Sequence, residues 1–285
     1  MTAARTDRTR TGSVISHDGT VIAFHSIGQG PGLVVVGGVL SSGADYLALA
    51  AELAEAHEVH VMERRGRPGS GPQRADHSIE DECADLAAVA AATGSTAAFG
   101  HSFGGLVVLE TARRRPMFNE LFVYEPGIAL RGQLTAGWLD RYERLLEHGD
   151  RRGAFAWMVK NAGFAPGPIG SMPLPWVRFL LRLGIRGSKW ANIDELLEAN
   201  LVEHRLQTAL DAPSVDRFSA IAARTVLLGG AKSPGTVSGP LLHELAEVIP
   251  RSTVVLLPDL GHPAPQDHPD RVAAAVLAAA RDVPR

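Results

Sequence analysis

Residues Gly100 to Gly104, "GHSFG", set a serine in Gly-x-Ser-x-Gly spacing between an apolar run, "TAAF", and a helical pattern, "FGGLVVLETARRR". In that context the serine occupies a sharp strand-to-helix turn and its hydroxyl stands above the sheet edge. The flanking glycines allow close backbone packing where a side chain would clash. The helix start adds free N–H groups and a field that favours an oxyanion. A serine hydroxyl is a poor nucleophile until a neighbour takes its proton, so Ser102 needs a histidine near it in space. Downstream, "LFVYEP" ends an apolar run on a glutamate, Glu125. A buried, unpaired carboxylate costs several kcal/mol, so Glu125 needs a partner.

These residues depend on the elements that carry them. "GSVISHDGTVIAFHSIG" alternates about Asp18-Gly19 and predicts a hairpin. "GLVVVGG" reads as a strand buried on both faces. A helix "ADYLALAAELAEA", a strand "HEVHVME" and a helix "SIEDECADLAAVAAATG" follow; the last has Ser78 and Asp81 in capping-box spacing and Gly94 as its stop. After the Ser102 unit come the strand "ELFVYE" and later "TVLLGG", "GPLLHELAEVI", "STVVLLPD" and "RVAAAVLAAARD". Alternating strands and helices predict an α/β fold, a mostly parallel sheet covered on both faces. Residues 131–215 break the rhythm. They read as helices around a loop rich in proline and glycine, "FAPGPIGSMPLP", and hold all four tryptophans. The expected organisation is a tail without structure over residues 1–12, a core over 13–130 and 216–285, and a helical cap over 131–215.

The bulk numbers restrict the function classes. The 285 residues are 45% hydrophobic and 21% charged, as in ordinary globular proteins, and the net charge of −3 offers no basic field for nucleic acid. No run reaches the roughly 18 apolar residues a membrane span needs. The start, "MTAARTDRTRTG", lacks the apolar stretch of a secretory signal. The single cysteine, Cys83, lies within a predicted helix and reads as a small buried hydrophobe. His57 and His60 lack helical zinc-ligand spacing, so no metal site is expected. The expectation is a cytoplasmic protein with no stable membrane association.

With these elements assigned, the chain resembles the α/β-hydrolase family over nearly its whole length. Besides "GHSFGG", "VVVGGVLSSG" resembles the family's oxyanion-loop segment, "VMERRGRPGSG" its Asp-Arg-x-Gly-x-Gly-x-Ser loop, and "LPDLGHPAP" the segment carrying the triad histidine. The resemblance implies an eight-stranded sheet with a helical cap inserted after the sixth strand, no cofactor, and His262 as the base that activates Ser102. The family's usual acid position, after the strand before the last, falls on "GGAKSPG", with Ser233 where aspartate belongs; no carboxylate occurs between Arg224 and His243. Some members, haloalkane dehalogenases among them, carry the acid one strand nearer the nucleophile, which is where Glu125 falls. The order 102, 125, 262 preserves serine, acid, histidine. Asp259 is the main rival, with Asp45, Asp211 and Asp216 behind it; the structural reading of Glu125 is a pair with Arg131 or the arginines of "ERRGR". The resemblance assigns the oxyanion donors to the N–H groups of Val39 and Phe103. Gly37 stands where many members have histidine before glycine, which leaves Gly38 as the competing donor.

The remaining expectations concern the substrate. Gly38, His101, Trp157, Phe164 and Trp176 are the candidate pocket residues, and most of the cap aromatics are expected to seal the cap against the core. An apolar pocket implies a small-molecule carboxylic ester or thioester substrate, cleaved through an acyl-enzyme. Arg178, Arg182 and Arg186, at four-residue spacing, read first as a solvated face and second as a docking patch for an acidic carrier domain or membrane surface. Competing readings on the same fold are a non-hydrolytic enzyme, such as a lyase or acyl-transferring cyclase, and a small-ligand-binding protein. Haloalkane dehalogenation is disfavoured because it needs a carboxylate at position 102.

Overall fold

The computed structural model describes residues 9–132, 136–162, 170–233 and 239–281. Eight strands form one sheet in the order β1-β2-β4-β3-β5-β6-β7-β8: Arg10–Ile15, Val21–Gly28, Gly32–Val36, Glu58–Met62, Ala97–His101, Glu120–Tyr124, Arg224–Gly230 and Ser252–Leu257, numbered β1 to β8 along the chain. The β1–β2 and β2–β4 pairs are antiparallel and the others parallel. The predicted hairpin forms at Asp18-Gly19, with Gly19 at φ 85° and Ser16 N–H donating to the Thr20 carbonyl at 2.8 Å. β1 already begins at Arg10, inside the stretch expected to be a tail. Arg10 pairs with Ser26 in the sheet and reaches Glu58 at 2.6 Å, so residues 10–12 are strand.

The helices are α1 Leu47–Leu53, α2 Ile79–Thr93, α3 Phe103–Arg114, α4 Leu139–Glu147, α5 Arg151–Asn161, α6 Leu174–Gly184, α7 Gly187–Glu195, α8 Leu197–Ala209, α9 Gly239–Val248, α10 Ala264–Asp267 and α11 Pro269–Arg281. α2 starts with the expected reciprocal cap between Ser78 and Asp81 and stops at Gly94, which is left-handed at φ 65°. Val34, Val36, Val123 and Leu227 pack against α2, α3 and α9 on one face of the sheet. Val35, Phe99, Phe122 and Leu228 pack against α1 and α11 on the other. Consecutive residues therefore serve opposite cores, which explains why the parallel strands read as continuous apolar runs.

α4 to α8 lie between β6 and β7 and form their own apolar cluster around Trp138, Tyr142, Phe155 and Leu197. α8 is the foot of this group on the sheet. Its Glu203 side chain is fully buried against Arg64 and Arg67, and Gln207 Nε2 donates to the Gly127 carbonyl at 2.7 Å.

Candidate active site

β5 ends at His101 and β6 at Tyr124, paired side by side, and Tyr124 pairs in turn with Leu228 of β7. The residues that follow these strands therefore gather at one sheet edge. Ser102 turns the chain into α3 at φ 54°, ψ −121°, a conformation that costs a non-glycine residue about 1–3 kcal/mol. The turn is tight enough that a Cβ on Gly104 would lie 2.2 Å from the Val36 carbonyl oxygen, so a side chain there is excluded. Phe103 begins α3, and its N–H has no carbonyl four residues back inside the helix to bond.

Glu125 follows β6, again at positive φ (43°), and is fully buried. Its Oε2 accepts from His262 Nδ1 at 2.7 Å, and its Oε1 accepts the Gly230 N–H at 2.7 Å. With Nδ1–H committed to a carboxylate, the neutral His262 ring has Nε2 as its proton acceptor. The last residue of β7, just before the loop where the family's usual acid would stand, supplies a backbone donor to Glu125. Gly230 is needed there because a Cβ would meet the Leu260 carbonyl at 2.4 Å. The rival carboxylates are engaged elsewhere. Asp259 is exposed and pairs with Lys232 at 3.2 Å, Asp45 accepts the Ser42 N–H, Asp211 the Gly132 N–H, and Asp216 the Ser214 hydroxyl. Arg131 pairs with Glu244 at 2.6 Å, not with Glu125.

The His262 loop is clamped by two further side chains. Tyr124 hydroxyl donates to the Gly261 carbonyl at 2.9 Å, and His101 Nε2 lies 2.9 Å from the His262 carbonyl. A carbonyl only accepts, so His101 Nε2 carries the proton and Nδ1 accepts. Tyr46 hydroxyl, 2.7 Å away, must then donate to Nδ1, and its oxygen accepts the Gly38 N–H at 2.9 Å. One directed chain thus runs from the loop after β3 to the histidine loop. Burial, with the nearby His262 as a smaller cause, pushes the His101 pKa well below its usual value and keeps this tautomer neutral.

Arg64 fixes the other side of the β3 loop. Its Nε donates to the Gly37 carbonyl at 3.1 Å and its Nη2 to the Gly38 carbonyl at 2.8 Å. In a trans peptide the carbonyl of one residue and the N–H of the next point oppositely, so Val39 N–H faces away from Arg64. Gly38 N–H is spent on Tyr46. Arg64 also stacks over Phe103, 4.9 Å from the ring centre, and binds Glu82 and Glu203. Burial alone would lower the Arg64 pKa, but Glu203 and Glu82 outweigh it and hold the guanidinium charged. Burial would likewise raise Glu82, but Arg64 and His77 bring it down to about 2. Glu63, the glutamate that opens "ERRGR", accepts the Gly43 N–H at 2.9 Å, and Arg65 binds Asp85 and Asp18.

A cavity of about 130 Å³ opens onto this edge, lined by Gly38, Val39, Tyr46, His101, Ser102, His262, Pro263 and Gln266. It contains two of the expected pocket residues, Gly38 and His101, but neither tryptophan. Trp157 donates to the Trp138 carbonyl and stacks under Arg141, while Trp176 is exposed on α6. Phe164 lies outside the described residues. Sequence reasoning missed Tyr46, Tyr124 and Arg64, whose only signal was a tyrosine within an alanine-rich helix pattern, one within an apolar strand, and an unusual density of arginine in "ERRGR". Another cavity, about 490 Å³, lies at the opposite end of the sheet beside Asn119, Glu120 and Arg224, far from this chemistry. Cys83 is fully buried, and burial pushes its thiol up to about 11, which leaves it inert.

Among curated proteins no sequence matches this chain. Solved structures of the same architecture include an α/β hydrolase from Sphaerobacter thermophilus, 29% identical over 94% of this chain and 99% of that one, with a TM-score of 0.77. A thermophilic esterase from Thermogutta terrifontis is 20% identical, with coverage of 95% and 98% and a TM-score of 0.73. An esterase from a Rhodococcus species is also 20% identical, with coverage of 96% and 99% and a TM-score of 0.67. The sequence matches the family described as "Alpha/beta hydrolase family" over residues 33–275. Match, strand order and the strained serine turn between β5 and α3 agree: the chain belongs to the α/β hydrolase family.

Proposed function

We propose that this protein is a serine hydrolase that cleaves a carboxylic ester or thioester through an acyl-enzyme. The observation that carries the reading is the 2.7 Å contact between His262 Nδ1 and the buried Glu125 carboxylate, with His262 and Ser102 lining one cavity. In this reaction Ser102 Oγ attacks the acyl carbon as His262 Nε2 takes its proton, and Glu125 stabilises the imidazolium that forms. The N–H groups of Phe103 and Val39 receive the developing oxyanion. The outward turn of Val39 N–H and the engagement of Gly38 N–H by Tyr46 support that choice. His262 then returns the proton to the leaving alcohol or thiol, and a water repeats the sequence to release the acid. α4 to α8 act as the cap over the site, held to it through Glu203 and Gln207.

Pockets for drug-sized ligands measure about 300–1,000 Å³. A cavity of about 130 Å³ therefore accommodates a short apolar acyl group. The test is nitrophenol release from acyl esters of increasing chain length by wild type and Ser102→Ala. The expected result is turnover that peaks at the shortest chains and vanishes in the variant. Absence of turnover by wild type on the whole series would transfer the reading to a non-hydrolytic enzyme or a ligand-binding protein on the same fold.

A further inference from the structure

α6 turns its apolar face outward. Trp176, Phe179, Leu180 and Leu183 follow i, i+3, i+4, i+7 spacing, the pattern that normally meets a core, yet they are 60%, 52%, 46% and 48% exposed. Only Val177 of this helix is buried, and the helix packs against α5. At about 100° per residue, Arg182 falls beside Phe179 on one flank of the stripe, while Arg178 lies further round and turns to Asp150. Residues 151–193 contain Arg151, Arg152, Lys160, Arg178, Arg182, Arg186 and Lys189 and no Asp or Glu. Arg178 and Arg151 find partners outside that stretch, in Asp150 and in Asp194 and Glu198. Among the described residues Arg152, Arg182 and Arg186 form no ion pair. Together with Phe179 and Leu183 they line a cleft of about 380 Å³. Arg152 stacks on Trp190 at 3.6 Å, which fixes its guanidinium in the cleft wall. Its pKa lies below the usual value, first from burial and then from the adjacent Arg182 charge, which the Asp194 carboxylate offsets only in part, so like charges crowd this cleft.

From this arrangement we infer that α6 is a reversible docking surface for an anionic lipid bilayer, with the Arg152–Arg182–Arg186 cleft receiving a lipid phosphate and Trp176, Phe179, Leu180 and Leu183 entering the interface. A helix lying in the membrane plane needs both parts, an apolar stripe and a cationic border. A second copy of the chain is a poorer occupant, because a two-fold contact would set these arginines against themselves. An acidic protein would satisfy the arginines but would need a groove for its own apolar groups, whereas the stripe is carried on a single helix with only Val177 buried. The inference is independent of the esterase reading, since vesicle binding requires no turnover.

The test is co-sedimentation of the full chain with vesicles of phosphatidylcholine alone or of phosphatidylcholine mixed with phosphatidylglycerol. The expected result is pelleting with the mixed vesicles only, reversed by salt, and a blue shift of tryptophan emission on binding. Removing two surface arginines in Arg182→Gln/Arg186→Gln should weaken partition about thirty-fold. Trp176→Ser/Phe179→Ser should abolish the blue shift; unchanged thermal melting of these surface variants shows that they fold. Four results would overturn the inference: no pelleting with mixed vesicles, equal pelleting with both compositions, indifference to the arginine changes, or a dimer that the Phe179 change dissolves. Pelleting with free inorganic phosphate as an effective competitor at low concentration would also overturn it, since a bilayer surface would then be unnecessary.

Discussion

Glu125 is wholly buried at φ 43°, and both of its oxygens are occupied, one by His262 and one by the Gly230 N–H. Glutamine at this position keeps the shape but offers His262 an amide and the wrong tautomer. Glu125→Gln is expected to lower kcat by roughly 10⁴ with little change in KM, whereas Asp259→Asn leaves both near wild type. Steady-state kinetics on a short nitrophenyl ester separates the two. Ser233 sits at the family's usual acid position, and Gly261, next to His262, is its neighbour in space. In the Glu125→Gln background, Ser233→Asp is therefore expected to recover part of the lost kcat. Tyr46→Phe deprives Gly38 N–H and His101 Nδ1 of their shared partner and should cost about 1–3 kcal/mol in urea unfolding. Ser102 and Glu125 were legible in the sequence because their types stand out against an apolar background. Tyr46 and Tyr124 were not, because their roles arise from contacts with loops remote in the chain.

The strands and helices around the site were legible from periodicity, turn residues and caps, as Ser78, Asp81 and Gly94 illustrate. Direction was the harder property. Period shows that Trp176 and Phe179 share a helix face, but not whether that face meets a core, and the expectation that Trp176 lines the pocket failed on this point. The ion-pair network under α8 was equally hidden, because Glu203 lies 139 residues from Arg64. Glu203→Gln leaves Arg64 and Arg67 buried beside one fewer anion, and loss of a buried partner costs about 3–5 kcal/mol. Arg64 also holds the Gly37 and Gly38 carbonyls, so the same variant should lower kcat as well as the urea midpoint. A variant with lowered stability and unaltered kcat would separate the α8 anchor from the Val39 loop.

The folded molecule as a whole keeps His60, His101 and His204 below their usual pKa, in each case chiefly by burial. Below about pH 6.5 the unfolded chain binds protons that these native histidines refuse, so stability falls as pH falls. A second loss follows below the usual glutamate value of 4.5, as Glu82 and Glu203, lowered in the native state, give up the stability they confer above it. The melting temperature is thus expected to drop between about pH 7.5 and about pH 5.5 and again in stronger acid. A flat profile across the first window would contradict the buried neutral histidines. Among the described residues no helix is long and apolar enough to cross a membrane. A nucleophile at Ser102 driven by His262 and Glu125 should react with an alkyl fluorophosphonate, which the mass of the protein and of its peptides reads out. The expected result is one adduct on Ser102, formed far more slowly in Glu125→Gln and at the wild-type rate in Asp259→Asn. An adduct on another residue, or labelling of Glu125→Gln at the wild-type rate, would contradict it.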